Sequence, residues 1–239
     1  MSESRPPRAG AALLTAAVLI ASAAGGMLFY RLAAPERAKL YPLAQPGLPP
    51  AAGTTGPAPS SSGMRIPAEL PEVELPSPDG ATRHLSEWQG KSLLINFWAT
   101  WCEPCRREIP LLKTLRSERR REGLEVVGIA VDSPDAVQKY IARHGIDYPV
   151  LVGEQGGLAA ASAFGMEPVL PFSVFADHLG RVVTLKVGEL HRDEADFILD
   201  RVREVDAGKL ELAAARSAIS AEIARLAAAR ARQVGGATG

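Results

Sequence analysis

Two short apolar runs constrain the fold of this chain more than any other feature. Ser92–Ala99 (SLLINFWA) and Leu124–Val131 (LEVVGIAV) have the length and nearly continuous apolar character of strands that are buried on both faces. Between them, Glu103–Glu122 carries apolar residues at helical spacing. A strand, a helix and a second strand in this order predict a parallel strand pair, so the expected fold class is α/β.

Elements of both kinds flank this unit. Helices are predicted at 134–143, 157–164 and 193–205, and strands at 148–152, 172–175 and 182–187. The last two strands form a hairpin turned at 178–180, which makes the sheet mixed. An earlier hairpin is predicted from strands at 73–75 and 82–85 around the turn signal Ser77-Pro78-Asp79-Gly80. Residues 69–207 are therefore expected to form one domain, in which helices flank a central mixed sheet and the first hairpin is an N-terminal extension.

The first 68 residues have a different composition. Arg5 and Arg8 lie in segment 1–8, and the next 22 residues carry no charge. That length suffices for a transmembrane helix, predicted at 9–32. Ala21-Ser22-Ala23 fits a signal-peptidase site, so a cleaved signal stays an alternative, although the apolar run continues beyond it. Residues 33–68 are rich in Pro, Gly and Ser and are expected to form a tether.

The last segment, 208–239, contains an Ala-rich stretch at 209–233 with helical character. Its apolar residues form one narrow stripe, made by Leu212, Ile219, Ile223 and Leu226. We expect this helix to lie against its own domain, and a docking or self-association helix is the alternative. Two further features have local interpretations: the basic cluster Arg116–Arg121 as a solvated face, and Asp132-Ser133-Pro134 as a helix cap.

Charge and cysteine content exclude several classes of protein. Lys plus Arg and Asp plus Glu both number 27, so the chain lacks the positive field that general nucleic-acid binding needs. The four histidines show no zinc-like spacing, and two cysteines are too few for a disulfide scaffold. We therefore expect no nucleic-acid partner and no metal site.

The two cysteines lie where a predicted strand ends and a helix begins. Cys102 and Cys105, three residues apart in WATWCEPC, are close enough in the first helical turn to form a disulfide. At a helix N-terminus the Cys102 thiolate is favoured, which lowers the pKa of this thiol from about 8.5. Cys102 would then attack a disulfide and Cys105 would resolve the mixed disulfide. Half of a zinc site and an inert structural bridge are the alternatives.

The run NFWATWCEPCRREIP, Asn96 to Pro110, resembles the active-site segment of thioredoxin-fold proteins. It is most similar to membrane-anchored TlpA/ResA/CcmG-type thiol:disulfide oxidoreductases of the redoxin-like superfamily. The similarity extends over about residues 67–205 and includes the hairpin extension. It implies a thioredoxin fold with an added C-terminal helix, and catalysis by the Cys102–Cys105 redox disulfide with no other cofactor.

The resemblance also assigns residues near the dithiol. Asn96 stands where thioredoxin has a buried aspartate, and it cannot exchange a proton with Cys105. Glu108 matches an acidic residue proposed to manage the proton of the second thiol. Its alternative is an exposed acid that interacts with the helix dipole. Asn96 itself is expected to be a core residue with satisfied hydrogen bonds.

Pro171 matches the proline that follows a cis peptide bond and faces the dithiol. The backbone at Leu170 would pair with an extended substrate segment by strand addition. Phe172 replaces the threonine common after this proline, so the substrate groove can differ. Trp101 and Pro104 complete the substrate-binding set that the resemblance implies, whereas Trp98 has either a packing role or a role in access.

The resemblance further implies a single-pass protein of the bacterial inner membrane, with a cytoplasmic N-terminus at residues 1–8 and its catalytic domain in the periplasm. Its expected partners are disulfide-bearing envelope proteins, such as apocytochromes c with their haem-attachment cysteines, and a membrane dithiol donor of CcdA/DsbD type. The Glu103-Pro104 dipeptide resembles that of ResA-like reductases, and this resemblance implies action on apocytochrome c. A TlpA-like reductase for oxidase copper-site assembly, and a dithiol binding protein such as a copper chaperone, are the alternative functions.

Overall fold

A computed structural model describes residues 66–167 and 169–236 of the chain. The predicted anchor and almost all of the predicted tether lie outside these residues. Among the described residues, no helix combines the length and apolar character needed to cross a membrane.

This part of the chain contains seven strands and five α-helices. The strands are β1 Glu74–Pro76, β2 Thr82–His84, β3 Ser92–Trp98, β4 Leu124–Ala130, β5 Val150–Val152, β6 Phe172–Ala176 and β7 Val182–Val187. The helices are α1 Glu103–Arg119, α2 Pro134–His144, α3 Glu154–Ala163, α4 Arg192–Asp206 and α5 Leu212–Gly236. Short 3₁₀ turns at Leu85–Trp88 and Arg120–Glu122 complete the set.

The central sheet has the order β5-β4-β3-β6-β7 and is mixed, as predicted. β3, β4 and β5 run parallel, while β6 is antiparallel to both β3 and β7. β1 and β2 form a separate antiparallel pair around the predicted turn. The fold is therefore the expected thioredoxin-like α/β sheet with a hairpin extension.

Every residue of β3 and β4 is buried, because both faces of the sheet are covered. Alternate residues point to opposite faces, so Leu94 and Trp98 join the core under α1, α2, α4 and α5. Ile95 and Phe97 join the second core, under α3 and the hairpin extension. Asn96 lies between Leu94 and Trp98 in this alternation, so its side chain points to the same face, toward α1.

The C-terminal helix α5 packs on the domain, as the apolar stripe predicted. Ile219 is fully buried, and Arg216 donates to the Val182 carbonyl at 2.6 Å. Arg230 pairs with Glu194 at the start of α4, with 2.8 Å between Nη1 and Oε1. α5 is thus an integral layer of the described structure.

Two boundaries differ from the sequence predictions for steric reasons. Helix α1 ends at Arg119 because the chain tightens into a 3₁₀ turn and then enters Gly123 at φ +91°, where a side chain would be strained. Helix α3 begins at Glu154, before the predicted start at residue 157. Gly157 lies inside this helix, and a Cβ there would approach Val131 Cγ2 to 3.0 Å, so glycine at this position permits close helix–strand packing.

The expectation of a fully solvated basic cluster at 116–121 is wrong for two of its arginines. Arg116 pairs with the buried Glu125, and Arg119 pairs with Asp196 and Asp200 on α4. Their side chains are only 15% and 14% exposed. Arg120 and Arg121 remain exposed, as expected.

Candidate active site

The dithiol lies at the carboxyl end of β3, where the chain turns into α1. Cys102 is the N-cap residue of α1, with extended backbone, and its Sγ accepts a hydrogen bond from the Cys105 amide at 3.3 Å. Cys102 and Cys105 are disulfide-bonded with 5.3 Å between their Cα atoms. Cys102 is 6% exposed and Cys105 is fully buried, so Cys102 is the more accessible of the two residues.

Glu108 lies one helical turn beyond Cys105 and is buried, at 2% exposure. Its Oε1 accepts from Asn96 Nδ2 and its Oε2 from the Leu190 amide, both at 2.7 Å. The alternative of an exposed helix acid is therefore wrong. The same geometry explains why an acid is tolerated here: two donors solvate the carboxylate in place of water.

Burial dominates the electrostatics of this carboxyl. It raises the pKa of Glu108 from 4.5 to about 7, and the hydrogen bonds from the Leu190 amide and Asn96 only partly oppose that rise. A carboxyl with a pKa near neutrality can both accept and return a proton under ordinary conditions. Nearby Tyr148 is also buried, and burial raises the pKa of its hydroxyl.

Asn96 is a core residue, as predicted, but the expectation that its hydrogen bonds are satisfied is wrong for its side-chain oxygen. Its Nδ2 donates to Glu108 and, at 3.1 Å, to Ser173 Oγ, whereas its Oδ1 has no partner within the described structure. Ser173 faces Asn96 across the β3–β6 pair. The sequence analysis missed Ser173, whose only signal is a hydroxyl inside the apolar run of β6.

The loop before α4 holds Glu108 from the opposite side. Glu189 forms an ion pair with Arg107, with 2.6 Å between Oε2 and Nη2, and Leu190 donates to Glu108 from the next position. Sequence reasoning missed this loop because its contribution is a backbone N–H, which leaves no trace in residue type.

Asp132 supports the dithiol loop from β4. Its Oδ2 accepts from the Thr100 amide at 2.9 Å and from Thr100 Oγ1 at 2.5 Å, and its Oδ1 accepts from the Ser133 amide. Ser133 is the N-cap residue of α2 but makes no side-chain cap. The predicted helix cap is confirmed only in position, because Ser133 makes no side-chain cap and the buried Asp132 instead holds the loop that carries Cys102.

The predicted substrate-binding residues surround the same end of the sheet. The Leu170–Pro171 bond is cis, as predicted. Phe172, the next residue, pairs with Phe97, which places Pro171 beside the carboxyl end of β3. Leu170 is half-buried, Pro104 lies in the first turn of α1, and Trp101 is 68% exposed. Trp98 is fully buried, which gives it a packing position.

With this geometry established, comparisons with known proteins identify the family. The Redoxin family model matches residues 62–199, more than half of the chain. The chain belongs to the redoxin family. Its dithiol and cis-proline arrangement and its relatives make it a TlpA/ResA/CcmG-type thioredoxin-like protein and a thiol:disulfide oxidoreductase.

Two curated relatives and one solved structure illustrate the similarity. Thiol-disulfide oxidoreductase ResA of Bacillus thuringiensis is 29% identical over 140 residues, which cover 58% of this chain and 79% of the relative. ResA of Halalkalibacterium halodurans is 28% identical over 126 residues, or 52% and 70% of the two chains. A thiol:disulfide interchange protein of the thioredoxin family from Chlorobium tepidum has a TM-score of 0.50 and 31% identity, covering 59% of this chain and 96% of its own.

Proposed function

We propose that this protein reduces specific disulfides of bacterial envelope proteins, in particular the haem-attachment cysteines of apocytochromes c. The observation that carries the proposal is the buried Glu108, one turn from the buried Cys105 and with a pKa of about 7. This arrangement suits a dithiol whose second thiol must lose its proton inside a dry site. The Glu103-Pro104 dipeptide supports the choice of substrate through its resemblance to ResA-like reductases.

In the proposed reaction the dithiol form of the protein is the reductant. The Cys102 thiolate, favoured by the amides of the first turn of α1, attacks one sulfur of the substrate disulfide and expels the other as a thiolate. Cys105 then attacks Cys102 Sγ, which releases the second substrate sulfur. Two electrons pass to the substrate, and the Cys102–Cys105 disulfide forms.

Glu108 has the role of proton acceptor in the second step. The Cys105 thiol gives its proton to the Glu108 carboxylate and attacks as a thiolate, and the proton afterwards reaches the departing substrate thiolate through solvent. Hydrogen bonds from Asn96 and the Leu190 amide hold the carboxylate in position. Leu170 and Pro171 offer backbone for pairing with an extended substrate, and Trp101 offers an exposed aromatic surface next to Cys102.

The proposal includes a location and an electron donor. Segment 9–32 would anchor the chain in the inner membrane, 33–68 would act as the tether, and a donor of CcdA/DsbD type would reduce the Cys102–Cys105 disulfide again. Protease added to intact spheroplasts should cut the tether and release the catalytic domain. Protection of the domain until the membrane is lysed would contradict the periplasmic location.

The substrate assignment is tested with the full chain in its reduced form. We expect it to convert a disulfide-bonded C-x-x-C-H peptide into free thiols faster than the same peptide with its histidine replaced by serine. The Cys102→Ala variant is the control and should reduce neither peptide. If the reduced protein leaves the C-x-x-C-H peptide oxidised while a generic dithiol reduces it, the cytochrome assignment fails.

Trapping in cells separates catalysis from simple binding. A Cys105→Ala variant cannot resolve the mixed disulfide and should accumulate a covalent partner on Cys102. The identity of that partner distinguishes an apocytochrome c from an oxidase assembly protein. The absence of any covalent partner would instead support a dithiol binding protein.

A further inference from the structure

A basic groove runs between α1 and α2, next to the dithiol loop. It encloses about 660 Å³ and begins at Thr100. Its basic lining residues are Arg106, Arg107, Lys139, Arg143 and His144. The Tyr140 ring forms part of its wall, stacks on His144 at 4.0 Å and contacts Trp98 behind the dithiol, with 5.5 Å between ring centroids. Thr100 and Glu103, which lie on either side of Cys102 in the sequence, both line the groove, so the groove adjoins the dithiol segment.

Three cations of this groove, Arg106, Lys139 and Arg143, differ from most arginines of the described structure. Across the described part of the chain, most arginines pair with carboxylates, as Arg83, Arg119, Arg192 and Arg230 do. Among these same residues, no carboxylate oxygen lies within 4.0 Å of the charged atoms of Arg106, Lys139 or Arg143, and all three side chains are exposed. Lys113 lines an adjoining depression and donates to the His144 carbonyl.

Carboxylates close to the groove do not neutralise it. Glu103 lines the groove, but its carboxylate pairs with Arg107, which also pairs with Glu189. Asp135, in the first turn of α2, is outside the lining. Two helices thus present to one concave surface three positive charges that have no ion-pair partner among the described residues. Clustered charge of one sign destabilises the isolated protein through repulsion and attracts a partner of opposite charge.

We infer that this groove binds an acidic segment of the polypeptide whose disulfide the protein reduces, and that it selects substrates with Asp or Glu beside the reactive cysteines. The inference rests on the proposed function. A substrate must bring its sulfur into bonding contact with Cys102 Sγ, so its neighbouring residues lie over the surface that includes this groove. The zero net charge of the chain means that the attraction is local to this face.

The test uses the reduced full-length chain and three synthetic peptides. All three contain the same disulfide-bonded core, which is flanked by Asp in one, by Ser in the second and by Lys in the third. At low ionic strength we expect the second-order rate constant for the Asp-flanked peptide to exceed that for the Lys-flanked peptide about tenfold. The Ser-flanked peptide should fall between them. In about 1 M salt the screening length falls to about 3 Å, so the preference should nearly vanish.

Two matched charge reversals locate the effect. The double variant Lys139→Glu/Arg143→Glu should reverse the preference and favour the Lys-flanked peptide, a gain that misfolding cannot mimic. The double variant Arg120→Glu/Arg121→Glu makes the same change in net charge at the far end of α1 and should keep the preference of the wild type. Equal rate constants for all three peptides, or an unchanged preference in the Lys139/Arg143 variant, would overturn the inference while the proposed function stands. Failure to reduce even the Ser-flanked peptide would instead overturn the proposed function, and the inference with it.

Discussion

Glu108 combines burial, two short hydrogen bonds and a raised pKa in one residue. Its pKa is about 7 in the folded protein and 4.5 in its ordinary state, so between these values the folded protein binds the extra proton. Stability from this group is therefore complete below pH 4.5 and is lost as the pH rises through 7.

We predict that the free energy of unfolding of the wild type falls between pH 5 and pH 8 by roughly 2 to 3 kcal/mol more than that of a Glu108→Gln variant. Urea unfolding at both pH values measures the difference. Glutamine has one oxygen for the two donors, so the variant loses some stability at every pH, and only the change in pH dependence is diagnostic. Parallel pH curves for the two proteins would contradict the prediction.

Asp132 is the second residue whose contacts matter for the dithiol. Replacing it by alanine leaves the Thr100 amide and hydroxyl without their acceptor. We expect Asp132→Ala to lower the free energy of unfolding by about 2 kcal/mol and the rate of disulfide reduction about tenfold. Asp132→Asn keeps an acceptor for the amide and should lose less of both quantities. A normal rate in the alanine variant would show that the loop holds its geometry without Asp132.

These two residues mark different limits of sequence analysis. The resemblance singled out Glu108, but an acid near a helix start is compatible with exposure, and only the tertiary position of the Leu190 amide decides the matter. Asp132 lies before a Ser-Pro helix start, and a cap was the simplest local explanation. Its contact with Thr100 joins positions 32 residues apart, which no local pattern contains.

The helix α5 illustrates what periodicity predicts well. Its apolar stripe indicated one buried face, and the structure places Ile219 in the core at 0% exposure. The β3–α1–β4 unit was predicted within a few residues for the same reason, since continuous apolar runs leave few alternatives. The start of α3 was predicted too late because Gly156-Gly157 is typical of a break, whereas Gly157 allows close packing on Val131.

At α5 the packing can be tested directly. Ile219→Ala improves helix propensity but removes a fully buried side chain, so we predict a net loss of about 2 to 4 kcal/mol in the free energy of unfolding. The exposed neighbour provides the control, and Ser220→Ala should change stability by less than about 0.5 kcal/mol. Urea midpoints measure both. A loss as small as that of the control would mean that α5 contributes little to the core.

The described part of the chain contains two cores that share one sheet. The extension hairpin contributes to the core under α3, and α5 contributes to the opposite core. Ion pairs connect the same elements. Arg230 on α5 pairs with Oε1 of Glu194, and Lys186 on β7 lies 3.6 Å from Oε2 of the same carboxylate. Glu194 is 1% exposed, so the loss of Arg230 would leave a buried carboxylate with a single cation.

We therefore predict that a fragment of residues 66–236 unfolds in one cooperative transition and reduces a small uncharged disulfide as fast as the full chain. Removing α5 as well, in a fragment of residues 66–208, should lower the unfolding midpoint, because it exposes the core around Ile219 and takes Arg230 from Glu194. Circular dichroism and tryptophan fluorescence, recorded on the same samples, check the transition. Non-coincident curves for the 66–236 fragment would show that the two cores unfold separately, and an unchanged midpoint for 66–208 would show that α5 lies on the domain without stabilising it.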